Sequence, residues 1–264
     1  NGISIAEVYK IENVDITIFE KPVVLHVSTC KGKGYKYAEY DPTLFHGVGS
    51  FSIIDGKLDK KSTITFTEAF SEDLVNQARE DNKIVAITAA MTKGTGLSRF
   101  KELFPERFFD VGICEQHAVT FAAGLAVSGL KPVVAVYSTF MQRAVDQVIH
   151  DVALQKLPVI LCLDRAGIVG ADGETHHGVF DIALFRNIPG LTMVSPASRK
   201  EMTLMLKYAL SLSGPVMIRY PRGICMSEKP VFSKSIETGR GIFIRKNSSN
   251  LLIMTLGGMI QEVI

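Results

Sequence analysis

The chain has 264 residues, 47% of them hydrophobic and 21% charged, the balance of a globular protein with a substantial core. Its 29 basic and 27 acidic side chains leave a net charge of +2, which argues against nucleic acid or an anionic membrane as the main partner. No apolar run reaches the ~20 residues that span a bilayer. The four cysteines (Cys30, Cys114, Cys162, Cys225) lie too far apart for a zinc site or a disulfide framework, so reduced, mostly buried thiols in a cytoplasmic protein are expected, Cys114 included.

Residues 1–28 read as an irregular or helical piece followed by an apolar strand over 22–28. Glycine and proline then mark a loop that holds Lys31-Gly32-Lys33-Gly34, which lacks the spacing of a phosphate-binding loop. A polar linker is expected over 47–62. From Thr63 strand and helix patterns alternate. The helix over 67–79 takes Thr67 as its cap, with Glu68 in the first turn. Strands are predicted over 83–88, 108–113, 132–137, 158–163, 192–194 and 216–220, and further helices over 115–128, 141–155 and 198–212. Near-continuous apolar strands alternating with helices predict an α/β fold, a parallel sheet with helices on both faces. Beyond residue 223 the texture changes, and two β-like runs, 241–245 and 251–256, read as the opening of another domain. With Asn1 at one end and an unfinished unit at the other, the sequence is expected to be a piece of a longer protein.

In open parallel sheets ligands bind outside the carboxyl ends of the strands. There the chain places Glu115 after the second strand, Tyr137, Phe140 and Arg143 after the third, the loop 164–178 after the fourth, and Arg222 after the sixth. Glu115 falls in the first turn of its helix, where the dipole favours an anion. Arg143, Arg165 and Arg222 on one rim suggest an anionic substrate, with ion pairing to Asp164 or Asp172 as the plainer alternative. Asp172, His176 and His177 could bind zinc, but no zinc spacing fits and proton transfer suits loop histidines better. His117 and His150 are expected to be structural, His117 as a packed or hydrogen-bonded core residue.

These stretches carry a resemblance. The runs 110–126, 137–147, 164–176 and 220–223, with 31–35 and Phe45-His46, resemble the 1-deoxy-D-xylulose-5-phosphate synthases, thiamine-diphosphate enzymes related to transketolase. The resemblance implies that 1–62 is the tail of a diphosphate-binding domain with its linker, 63–223 a pyrimidine-binding domain, and 224–264 a linker and the start of a carboxy-terminal transketolase-type domain. The implied cofactors are thiamine diphosphate and magnesium. The family's Gly-Asp-Gly magnesium motif is absent here, so the metal's ligands are expected in the missing amino-terminal domain and none in this chain. Glu115 matches the glutamate that hydrogen-bonds the aminopyrimidine ring nitrogen. Phe140 matches the stacking aromatic, with Tyr137 on the same wall and Tyr35 also reaching the cofactor. Arg143, Arg165, Arg222 and Tyr137 match substrate-channel positions, Arg165 and Arg222 for the aldehyde's phosphate. Asp172, His176 and His46 match positions for proton transfer and hydrogen bonding on the substrate. The implied substrates are pyruvate and glyceraldehyde 3-phosphate, the implied assembly a homodimer, and the implied place the first step of non-mevalonate isoprenoid synthesis. Transketolase and the beta subunit of a 2-oxoacid dehydrogenase share the glutamate and the sheet, and are the competing enzyme readings. A non-catalytic dimerising module is the competing reading for the chain taken alone.

Overall fold

The computed structural model describes residues 28–58, 63–170, 172–233, 235–245 and 250–264, together with residues 20, 22, 24 and 26. The chain divides into two compact units, Asn1–Lys60 and Lys61–Ile264. Among the described residues no helix is long and apolar enough to cross a membrane.

In the first unit the expected strand over 22–28 falls partly outside the described residues. A short helix, α1 (Lys36–Tyr40), follows the glycine-rich turn. Gly32 has φ 81° there, and a Cβ at this position would come within 2.7 Å of the Ala38 backbone, so the close approach requires glycine. The stretch read as a polar linker carries an aromatic cluster. Phe51 packs edge-on to Phe45 at 5.1 Å, Tyr35 joins both, and Phe51 pairs with Leu58 across an isolated antiparallel bridge.

Among the described residues of the second unit six strands form one sheet: β1 (Ile84–Thr88), β2 (Phe108–Asp110), β3 (Lys131–Tyr137), β4 (Ile160–Asp164), β5 (Thr192–Val194) and β6 (Val216–Arg219). Their order is β2-β1-β3-β4-β6-β5, and every pairing is parallel. The predicted α/β class is therefore the observed one. Alternate residues of each strand feed opposite cores. Val133 and Ala135 join α2 (Phe66–Glu80), α3 (Ser98–Leu103) and the helix Arg199–Ser211 on one face. Val134 and Val136 join α4 (Glu115–Val127) and the helical stretch 138–153 on the other.

Several boundaries moved. Helix α2 is capped by Thr65, not Thr67: the Thr65 hydroxyl accepts from the Glu68 amide at 3.2 Å while the Glu68 carboxylate accepts from the Thr65 amide at 2.8 Å. Thr67 is thereby released for a different bond. Strand β2 ends at Asp110 rather than 113, because the Asp110 carboxylate accepts from the amides of Ala90 (2.8 Å) and Gly112 (3.1 Å) and turns the chain, with Gly112 at φ 72°. The helix expected over 141–155 starts at α5 (Ser138–Met141) and passes through a tight turn, α6 (Val145–Gln147), and a wide π-type segment, Val148–Ala153. Apolar periodicity reports which face is buried but not which carbonyl each amide reaches. The runs 241–245 and 251–256 join no sheet among the described residues. Instead Gly257–Glu262 forms a tight helical segment whose Ile260 packs with Ala197 and Phe232.

Candidate active site

The strand ends bring their polar residues to one edge, and the contacts there run on without a break. Glu115 is the first residue of α4, with a side chain only 2% exposed. Its Oε1 accepts from Arg143 Nη1 at 2.9 Å, while its Oε2 is buried without a hydrogen-bond partner among the described residues. The Arg143 guanidinium lies 5.0 Å over the Phe140 ring. Phe140 stacks on Tyr137 at 5.8 Å and 19°, and His176 meets Phe140 edge-on at 5.5 Å and Tyr137 at 6.2 Å. Arg165 lies 4.2 Å over the other ring of this wall, that of Tyr137. Its Nε is 3.8 Å from Asp172, whose second oxygen accepts from Arg222 Nη1.

Thus eight of the sequence-derived candidates, Glu115, Arg143, Phe140, Tyr137, His176, Arg165, Asp172 and Arg222, lie in one chain of contacts. The plainer alternative for the arginines is realised in part, since all three have an acidic partner. Tyr35 and His46 belong to the first unit. There the Tyr35 hydroxyl donates to the Ile53 carbonyl at 3.0 Å, and Lys31 Nζ lies 2.6 Å from His46 Nδ1.

The loop after β4 has a defined shape. Gly167 and Gly178 exchange two backbone hydrogen bonds at 2.8 Å each, closing the base of the segment that holds Asp172 and His176. Gly178 passes so close over Ser138 that an added Cβ would stand 2.5 Å from the serine Cβ. His177, one of the three residues weighed for zinc or proton transfer, instead accepts from the Val169 amide through Nδ1 at 2.9 Å and braces the loop. Burial pushes the Tyr137 hydroxyl above its ordinary pKa. It does the same to the carboxyl of Asp164, whose side chain is fully buried, against the opposing pull of Arg165 and Thr67.

Two expectations are corrected. His117 is exposed and stacks on Phe121 at 5.8 Å, rather than lying in the core, because its helix position faces away from the sheet. Cys114 is exposed, as is Cys30, while Cys162 and Cys225 are buried. Cys114 ends the turn that follows β2, outside both cores. Sequence reasoning missed Gly94, where a Cβ would collide with the Tyr137 hydroxyl. It took Thr67 for a cap and Asp164 only for an ion-pair partner. A glycine at a loop tip and a threonine near a helix start carry no local sign of a contact far along the chain.

A parallel sheet carrying a buried, half-satisfied glutamate at a helix start beside a stacked aromatic pair makes this unit an α/β domain with a candidate ligand site at its carboxyl edge. The chain belongs to the transketolase pyrimidine-binding domain family, which it matches over residues 62–226. It is 56% identical to the 1-deoxy-D-xylulose-5-phosphate synthase of Treponema pallidum over 264 residues, all of this chain and 42% of that protein. It is 59% identical to the enzyme of the same name from Syntrophomonas wolfei over 224 residues, 85% of this chain and 35% of that protein. The chain therefore spans about two fifths of the length of such relatives. Among solved structures, a split-gene transketolase described as an inactive beta4 tetramer aligns with a TM-score of 0.59 at 32% identity, covering 68% of this chain and 58% of that one.

Proposed function

We propose that this chain is the pyrimidine-binding portion of a 1-deoxy-D-xylulose-5-phosphate synthase, which decarboxylates pyruvate with thiamine diphosphate and passes two carbons to glyceraldehyde 3-phosphate. The observation that carries the reading is Glu115. A carboxylate oxygen buried without a partner is costly, and Oε2 suits the ring nitrogen of an aminopyrimidine. Phe140, in contact with Tyr137 and with the same Arg143 that holds Glu115, is the aromatic that the family resemblance assigns to stacking on that heterocycle.

Thiamine diphosphate would supply a nucleophilic carbon and an electron sink for the decarboxylation. The residues of the chain bind, orient and move protons. Glu115 would hold the ring nitrogen and share a proton with it, while Arg143 holds the opposite carboxylate oxygen. Arg165 and Arg222 take the aldehyde's phosphate, for which a planar guanidinium is well matched. His176, beside the aromatic wall, and Asp172, between the two arginines, exchange protons with the substrate oxygens. For Tyr35 and His46 the family resemblance carries the assignment. The same resemblance supports domain boundaries near residues 62 and 223, magnesium held by residues of another domain, a homodimer, and a cytoplasmic location.

The test is carbon dioxide release from pyruvate, in the presence of magnesium, thiamine diphosphate and glyceraldehyde 3-phosphate, by a protein extended to the length of the relatives. Glu115→Gln should lower turnover by ~100-fold or more, the scale of a lost proton-transfer group. Full activity in that variant would remove Glu115 from the mechanism. Use of a ketose phosphate in place of pyruvate would move the reading to transketolase.

A further inference from the structure

We infer that Asp164, held by Thr67, is a positioning residue that presets Arg165 for the acceptor's phosphate. The inference rests on the role of Arg165 proposed above. Asp164 ends β4, and its side chain is wholly buried. One of its oxygens, Oδ1, accepts from the Arg165 backbone amide at 2.7 Å and also lies 3.0 Å from Arg165 Nη1. A single carboxylate oxygen thereby ties both ends of a long side chain to one point. The other oxygen, Oδ2, accepts from the Thr67 hydroxyl at 2.7 Å. Thr67 lies in the first turn of α2, where the Thr65–Glu68 capping box leaves its hydroxyl available.

The consequence is visible at Arg165. Its backbone stands at φ 60°, in the left-handed region that residues with a Cβ seldom adopt. The bond from its amide to the preceding carboxylate is the kind of local contact that holds such a turn. Its Nη1 donates to the Gly94 carbonyl and its guanidinium lies across Tyr137, which leaves Nε buried and without a hydrogen-bond partner beside Asp172. A free arginine samples many rotamers. One already curled into place contributes its charge without that ordering cost when an anion arrives.

The experiment uses the protein extended to the length of its relatives, with glyceraldehyde 3-phosphate and unphosphorylated glyceraldehyde as alternative acceptors. Thr67→Val should raise KM for the phosphorylated acceptor ~3–10-fold and Asp164→Asn ~10–100-fold, the scale of one neutral and one charged hydrogen bond. Neither should change KM for the unphosphorylated acceptor, and Thr67→Ser should restore the parent value. Because Asp164 is argued to act through Arg165, Asp164→Asn should add less than ~2-fold in an Arg165→Met background. Equal losses with both acceptors, or full additivity with Arg165→Met, would overturn the inference. If Asp164→Asn does not fold, the Thr67→Val and Thr67→Ser pair decides alone. Should Arg165→Met itself fail to distinguish the two acceptors, the phosphate role of Arg165 is wrong. Hydrogen exchange of the Arg165 amide in the 264-residue chain then judges the positioning: faster exchange in Thr67→Val but not Thr67→Ser supports it, and no change refutes it.

Discussion

The two ends of the sheet use polar groups in opposite ways. At the amino end they are spent on one another. Arg107 donates to the carbonyls of Ala78 (3.0 Å), Asp81 (3.1 Å) and Ile84 (3.3 Å), its guanidinium covers the Phe104 ring at 4.2 Å, and Lys131 pairs with Asp81 at 2.9 Å. At the carboxyl end Glu115 Oε2, Ser138 Oγ, Arg165 Nε, Asp172 Oδ2 and the Tyr220 hydroxyl are buried without a hydrogen-bond partner among the described residues. Among the described residues Gln147 Oε1 is the one further side-chain atom of this kind, so five of the six lie at the end where the proposed site sits.

Substitutions can break or sharpen that contrast. The largest effect belongs to the carboxyl end: Glu115→Gln should cut turnover ~100-fold while changing thermal unfolding of the chain by less than ~1 kcal/mol. A variant that loses both equally would make Glu115 a structural residue. Arg107→Ala should show the reverse, a loss of ~2–4 kcal/mol in chemical denaturation from three freed carbonyls and an uncovered ring, with turnover per folded molecule unchanged. Gly94→Ala tests the join between packing and site. The new methyl must push the Tyr137 hydroxyl aside, so ~1–3 kcal/mol of stability should go and cofactor affinity should fall with it. Calorimetric titration with thiamine diphosphate would read the second part.

The smallest effect concerns pH at the amino end. Hydrogen bonding to Lys131 holds the Asp81 carboxyl below its ordinary pKa. A carboxylate whose pKa is lowered by folding stabilises above its unfolded value and loses that contribution as the pH falls through the folded one. The pair should therefore contribute at neutral pH and fade below about pH 4. Lys131→Met should remove less than ~1 kcal/mol at neutral pH, because the pair is part-exposed, and should remove nothing in acid. Melting curves of both proteins across that range would converge if the pairing is as described.

Much of this architecture was legible because its causes are local. Apolar runs such as 132–137 and 216–220 could hardly be anything but covered strands, and their carboxyl ends indicated where Glu115, Phe140, Arg165 and Arg222 would gather. The fate of His117 was misjudged because one turn of α4 presents both a buried and an exposed side, and periodicity in a helix apolar on nearly all sides does not say which. The β-like runs 241–245 and 251–256 misled for a related reason: a strand is completed by a neighbour, and composition does not supply one.

The amino-acid sequence by itself determined the alternation of strands and helices, the parallel class of the sheet, and the membership of eight residues in one edge. Each of these follows from side-chain period and chain order. Tertiary structure alone decided that Thr67 bonds Asp164, that Gly94 must lack a Cβ beneath Tyr137, that His177 braces the loop after β4, and that one oxygen of Glu115 is satisfied while the other is not. Those contacts join residues far apart along the chain, or depend on the angle at which a side chain leaves its element. A hydrogen bond selects its partner by ångströms and degrees, and these exist only once the chain has folded.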